Sequence, residues 1–260
     1  MATPLSQDRG RAESFGADPE RYDRCRPSYP PALIEWLSVA EGGAGTAVDV
    51  GCGSGKVAVL LRDAGWDVIG VEPDERMATY ARRRGIRVDV ARFEDWVPSV
   101  RDVDVVCSGQ AWHWVDRAAG QRKAAEILRS GGRIAVFWNL YSYEPNVAAV
   151  ITEVYRRLAP ELLDDSVALG RQKQTNNTAD LTALELSPDF HEIEFRSFEH
   201  SRPQTVLEWL DELRSHALHH HVERQRTDAI FAALEEELGT ATDGSLTAHY
   251  ETVVTTATRA

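Results

Sequence analysis

The 260-residue chain is 43% hydrophobic and 27% charged, the composition of an ordinary globular protein, and its formal net charge is −12. That acidity repels a phosphate backbone, so nucleic acid is not an expected partner, and no stretch approaches the ~18 apolar residues that span a bilayer. Three cysteines, Cys25, Cys52 and Cys107, are widely spaced and lack a CxxC pair, which argues against a disulfide frame or a zinc site and for a reducing compartment.

The first residues join no basic cluster to an apolar run, so no signal peptide is expected and the chain reads as cytoplasmic. Residues 1–20 are polar and rich in charge. Pro27, Pro30 and Pro31 break any earlier helix, and a helix starting near Pro31 carries Leu33, Ile34 and Leu37 on one face. An alternation follows. TAVDVG is a strand and Lys56–Ala64 a helix; WDVIGVE is a strand and Asp74–Arg84 a helix; IRVDVA and VDVVCSG are strands. The basic run Arg82-Arg83-Arg84 falls late in its helix, where cations suit the dipole. Arg117–Leu128 is a helix with Asp116 as its cap, ended by Gly131-Gly132, and RIAVFWN is a strand.

Beyond Tyr141 the rhythm changes. Asn146–Leu158 is a helix, and the polar run from Leu163 to Leu181 is an irregular excursion. FHEIEFRSFEHSR alternates apolar and polar residues as a half-exposed strand does, Thr205–Leu218 and Arg224–Leu238 are helices, and SLTAHYETVVTTAT is a last strand. The predicted fold is α/β, a doubly wound, seven-stranded, mostly parallel sheet with an N-terminal cap and a helical insertion. Its parts are a cap segment at 1–44, a nucleotide-fold core at 45–140, and residues 141–260, which complete the sheet and add a helical cap at about 141–185 and 203–240.

In such sheets ligands bind at the carboxyl ends of the strands. The run VDVGCGSG puts three glycines there, at 51, 53 and 55, after a strand ending at Val50. A phosphate loop needs GxxxxGK[ST], but Lys56 is followed by Val57; a dinucleotide fingerprint needs GxGxxG, but the spacing is GxGxG. Asp49 before the loop would repel a pyrophosphate and suits a cationic ligand. Glu72 ends the second strand, where a carboxylate can accept from two ribose hydroxyls.

This combination resembles motif I and the following acidic position of class I S-adenosylmethionine-dependent methyltransferases. VDVGCGSG, VIGVEPDERM and ILRSGGRIAVFWN resemble the methyltransferase type 11 family, and RYDRCRPSYP and SGQAWHWVD resemble its small-molecule branch that includes trans-aconitate methyltransferase-like proteins. The resemblance covers about residues 20–140 and implies S-adenosylmethionine as cofactor. It implies that Asp49, Gly51, Cys52 and Gly53 line the cofactor, that Glu72 holds the ribose diol, and that Pro73 and Met77 flank the adenine. Phe93 and Glu94 would meet the adenine edge, although Arg92 stands where the family often has Asp. Ser108 and Gln110 would sit beside the methionine moiety, with Tyr22 and Arg26 closing over it. Bland alternatives stand beside these roles: Asp49 as a buried network carboxylate, Glu72 as a helix cap, Phe93 and Met77 as core, Tyr22 and Arg26 as pins for the N-terminal segment.

Methyl transfer from a sulfonium needs alignment and exclusion of water, and a base only when the acceptor must lose a proton. His113 is the candidate base, against the alternative of a loop-ordering histidine. Trp112 is expected to face the acceptor, and Trp209 and His216 to line the acceptor site if the late helices form a lid. His216 and His220 share a helix face, but no HExxH pattern accompanies them and no metal is expected. The function expected is methyl transfer to a small molecule at oxygen, carboxylate or hydroxyl, by a monomer or homodimer. A non-catalytic cofactor-binding module and a nicotinamide-dependent oxidoreductase are the rivals.

Overall fold

The computed structural model describes residues 14–40, 42–163, 187–215 and 222–260. Its centre is a seven-stranded sheet in the order β3-β2-β1-β4-β5-β7-β6. The strands are β1 (Thr46–Val50), β2 (Asp67–Val71), β3 (Arg87–Asp89), β4 (Val103–Gly109), β5 (Leu128–Tyr143), β6 (Phe190–Thr205) and β7 (Ser245–Arg259). The first five run parallel, and β7 pairs antiparallel with both β5 and β6. The expected mostly parallel, doubly wound sheet is present.

The parallel strands are apolar on both faces because helices cover both. On one face Ala47, Val105, Cys107, Ala135 and Phe137 pack against α2 (Pro31–Ala40), α3 (Lys56–Asp63) and α4 (Glu75–Arg83) through Leu33, Leu37, Ala58, Leu61 and Ala81. On the other, Val48, Val50, Val106, Ile134 and Val136 meet α5 (Arg117–Ile127) through Ala124, Ala125 and Ile127. The helix ends follow local chemistry. Asp74 and Asp116 accept from Arg76 N and Ala119 N, and Thr205 and Glu208 form a capping box.

A separate apolar cluster joins α6 (Pro145–Leu158), α7 (Val206–Arg214) and α8 (Arg224–Ala241) through Ile151, Val154, Leu210, Leu213, Phe231 and Leu234. The short helix α1 (Pro19–Cys25) lies outside the sheet.

Two expectations change. Gly131-Gly132 does not end α5, which stops at Ile127; the glycine pair lies inside β5. A Cβ at Gly132 would stand 3.0 Å from the carbonyl oxygens of Val103, Asp104 and Arg129, so the pair lets β5 press onto the start of β4. β5 also runs past the predicted RIAVFWN to Tyr143, because β7 supplies hydrogen-bond partners along Leu140–Tyr143. The excursion after Leu163 lies outside the described residues, apart from Leu163 itself. No helix among the described residues is long and apolar enough to cross a membrane.

Candidate active site

Past Val50 the chain turns through Gly51 at φ +64° and Gly53 at φ +54°, a backbone that L side chains rarely adopt. A Cβ at Gly51 would lie 2.5 Å from the Ala111 Cβ. The amides of Gly51 and Cys52 both donate to the Val71 carbonyl, at 2.8 and 3.3 Å, so the loop leans on the end of β2. Glu72 stands there with one oxygen accepting from Gly53 N and the other from Asp74 N, each at 2.9 Å. One carboxylate therefore both closes the glycine loop and holds the Asp74 turn, the second contact being the helix-cap role weighed against ribose binding in the sequence. Each oxygen keeps a lone pair for a further donor. Burial pushes Glu72 up to about 7 against the two amides that favour its charge.

Asp49 is buried on the α3 side of the sheet and accepts from Ala58 N at 3.1 Å, in the first turn of α3, where a negative charge suits the dipole. Burial raises it to about 8, and the nearby Glu72 charge adds to that. Asp49 is 1% exposed and is enclosed behind the loop.

The structure gathers several of the other predicted residues at the loop. Met77 is buried, with Cε 3.5 Å from where a Gly53 Cβ would be, while neighbouring Pro73 is exposed. Phe93 is buried between Trp96 and Trp112, at ring distances of 6.2 and 6.0 Å. Glu94 is ion-paired by Arg92, which folds back onto it. Cys52 is buried with Sγ against Gly70. Ser108 is fully buried and its hydroxyl donates to Val50 O at 2.9 Å, which ties β4 to β1. Gln110 carries φ +58°, an uncommon conformation for a non-glycine residue, and its amide group donates to Asn139 O at 3.4 Å.

Above the loop lies α1. Asp23 accepts from the Ser54 hydroxyl at 2.8 Å and pairs with Lys56 and Arg84 at 3.3 and 2.6 Å. On its far side Asp211 of α7 accepts from Arg21 Nε at 2.9 Å and pairs with Arg24 at 3.3 Å. Arg26 donates to Ser215 O at 2.9 Å and lies over the Tyr22 ring at 5.3 Å. Tyr22 and Arg26 thus belong to a strap between the glycine loop and α7. The sequence offered no sign of Asp23 and Asp211 as its anchors, because their partners are up to 190 positions away.

The GQAWHWVD segment makes a 3₁₀ turn at Trp112–Trp114 and not an extended run. Trp112, expected to face the acceptor, is fully buried and packs on Gly120 of α5. His113 is half-buried, and Trp138 Nε1 donates to its Nδ1 at 3.5 Å. With Nδ1 accepting, the neutral ring carries its proton on Nε2. Trp209, on the buried face of α7, donates to the Tyr143 hydroxyl at 2.8 Å. His216 and the rest of the histidine run lie outside the described residues. Among those described, no group of three or more His, Cys, Asp or Glu could hold a metal.

The sequence also concealed a second polar group. The last parallel pair of β4 and β5 is Gly109 with Phe137, and beyond it Tyr141 pairs with Tyr250, which pairs with His200. This row is covered by α7, whose Glu212 is buried and accepts from the Tyr250 hydroxyl at 3.5 Å.

Residues 48–136 match the family model for a methyltransferase domain. The core has the class I methyltransferase fold. An uncharacterized methyltransferase of Mycobacterium tuberculosis is 40% identical over 129 residues, 48% of this chain and 52% of that one. A trans-aconitate 2-methyltransferase of a Mycobacterium species is 30% identical over 176 residues, 63% of this chain and 66% of that one. The solved structure of a protein described as a type II methyltransferase, from Anaeromyxobacter dehalogenans, superposes with a TM-score of 0.68 at 26% identity, over 89% of this chain and 97% of that one. The chain spans about half the length of the first curated relatives it matches, 52%. The residues so matched contain the glycine loop, Asp49 and Glu72.

Proposed function

We propose that the protein transfers a methyl group from S-adenosylmethionine to an oxygen, carboxylate or hydroxyl, of a small molecule. The observation that carries this reading is the loop of left-handed glycines closed onto Glu72, with Asp49 buried behind it. Two carboxyl groups held above their ordinary values by burial favour a cationic partner, which brings both back to their charged forms. The residues present therefore fit a sulfonium nucleoside: Glu72 for the ribose hydroxyls, the glycine backbone for close approach, and the α1 strap to exclude water. S-adenosylmethionine supplies an electrophilic methyl group whose S–C electron pair returns to sulfur as the new O–C bond forms.

The match to a trans-aconitate 2-methyltransferase supports a small oxygen-bearing acceptor. His113, with Nδ1 engaged by Trp138, fits a donor that orients the acceptor better than a base. Calorimetric titration with S-adenosylhomocysteine and, separately, NAD tests the cofactor assignment. Saturable binding of the first and none of the second is expected; the reverse overturns the reading in favour of an oxidoreductase. Transfer of a labelled methyl group into a small-molecule extract then separates an enzyme from a binding module.

A further inference from the structure

We infer that Asn139 is a positioning residue for the donor site: its side chain fastens the root of the α1 strap to β5, and its carbonyl holds the turn that lies against the glycine loop, so that seating the strap and shaping the loop are one event. The inference rests on the cofactor reading above and adds a residue outside the loop and its two carboxylates.

Two stretches that stand far apart in the chain, RYDRCRPSYP and RIAVFWN, meet through this side chain. Asn139 is 1% exposed. Its Oδ1 accepts from the Thr252 hydroxyl at 2.6 Å, and its Nδ2 donates to Ser28 O at 3.1 Å. A carbonyl only accepts, so these two partners fix which way the amide points. Thr252 faces Asn139 across the β5–β7 ladder, and that bond belongs to the sheet. The bond to Ser28 leaves the sheet for the segment that follows α1. Beside it, Tyr29 lies on the end of β4, with its hydroxyl 2.6 Å from where a Gly109 Cβ would stand and its ring edge-on to Phe137 at 4.9 Å.

The main chain of Asn139 acts toward the loop. Its carbonyl accepts from Gln110 Nε2 at 3.4 Å, and Gln110 N donates to Phe137 O at 2.9 Å. These bonds hold Gln110 at φ +58°, a conformation that a residue with a side chain keeps only where its surroundings enforce it. Ala111 comes next, and its Cβ is the atom that a Gly51 Cβ would strike, at 2.5 Å. Direct contacts thus run from Ser28 through Asn139 and Gln110 to Ala111 and Gly51. Further along the strap, Asp23 accepts from the Ser54 hydroxyl of the same loop at 2.8 Å. A strap fastened to the loop in two places cannot lift without disturbing it, and by linkage a ligand on the loop holds the strap down by the same factor. A path of contacts is a coupling only if both ends shift together, which is measurable.

The test uses the whole chain and measures S-adenosylhomocysteine affinity by calorimetry, and proteolysis within residues 18–30 with and without that ligand. Wild type, Asn139→Asp, Asn139→Ser and Thr252→Val are compared, with urea unfolding on each. Asn139→Asp keeps an oxygen for Thr252 and removes the donor to Ser28. Asn139→Ser shortens the side chain without adding charge and carries the measurement should the aspartate variant not fold. Thr252→Val removes the sheet bond alone. Saturating ligand is expected to slow cleavage of the wild type about tenfold or more, and the Asn139 variants to bind about tenfold more weakly and lose most of that protection. Thr252→Val should lower the urea midpoint while keeping the protection and an affinity within about twofold of the wild type. Asn139 variants that match the wild type in affinity and protection, a Thr252→Val that loses as much affinity as they do, or a ligand that binds the wild type without protecting the strap overturns the inference and leaves the cofactor reading standing. Failure of the wild type to bind S-adenosylhomocysteine removes both.

Discussion

The two halves of the sheet solve different problems. From β3 to β4 the strands hold three to seven residues, are largely apolar on both faces in β1, β2 and β4, and end together beneath the glycine loop. From β5 to β6 they hold fifteen or sixteen residues and run on past that edge, carrying tyrosines, a histidine and a glutamine under α7. The first half presents main chain and two carboxylates at that edge. The second presents side chains, among them Tyr141, His200 and Tyr250. A left-handed backbone loop tolerates few side chains, whereas a surface lined by side chains can be changed without rebuilding the sheet.

The sharpest way to break this contrast is to load a side chain onto the backbone site. Gly51→Ala combines a left-handed backbone, about 1–2 kcal/mol, with a clash on Ala111, about 1–3 kcal/mol. A loss of about 3 kcal/mol in urea unfolding is expected.

The pH profile tests the buried carboxyls of the same half. Asp49 and Glu72 stay protonated in the fold through a range where the unfolded chain has ionised them. Their contribution is therefore largest below pH ~4 and falls as pH rises toward their folded values of about 8 and about 7. Each group held protonated steepens the decline by about 1.4 kcal/mol per pH unit. Asp49→Asn should remove one such proton from the slope measured between pH 5 and 7.

Smaller effects belong to the cap. Asp211 and Arg21 are each about one-third exposed and Arg24 is more exposed still, so Asp211→Ala should cost only about 1 kcal/mol of stability. The clearer readout is faster proteolysis within residues 18–26. At Gly239, in α8, a Cβ meets nothing within 4 Å, and Gly239→Ala should raise stability by about 0.5–1 kcal/mol in the same unfolding assay.

The first half was largely legible in the sequence, because each of its elements is a local signal. Apolar runs mark β1, β2 and β4, Asp74 and Asp116 cap the helices they precede, and the GxGxG spacing is realised as alternating left-handed residues. The second half was legible as strands and helices but not in what it brings together. Tyr141, His200 and Tyr250 meet through the registers of β5, β7 and β6, and Glu212 reaches Tyr250 from α7, pairings that no short window contains. Trp112 misled for a related reason: it sits in a 3₁₀ turn and packs on Gly120 of α5, a contact that its immediate neighbours do not announce.

The account turns on Glu72, whose two oxygens already join the loop to the second strand. Calorimetry of S-adenosylhomocysteine binding to the wild type and to Glu72→Gln, with unfolding followed in parallel, tests it most directly. One-to-one binding that weakens by about 1–3 kcal/mol in the variant, which remains folded, is the predicted result. Equal affinity in the two proteins, or no binding to the wild type, would contradict it.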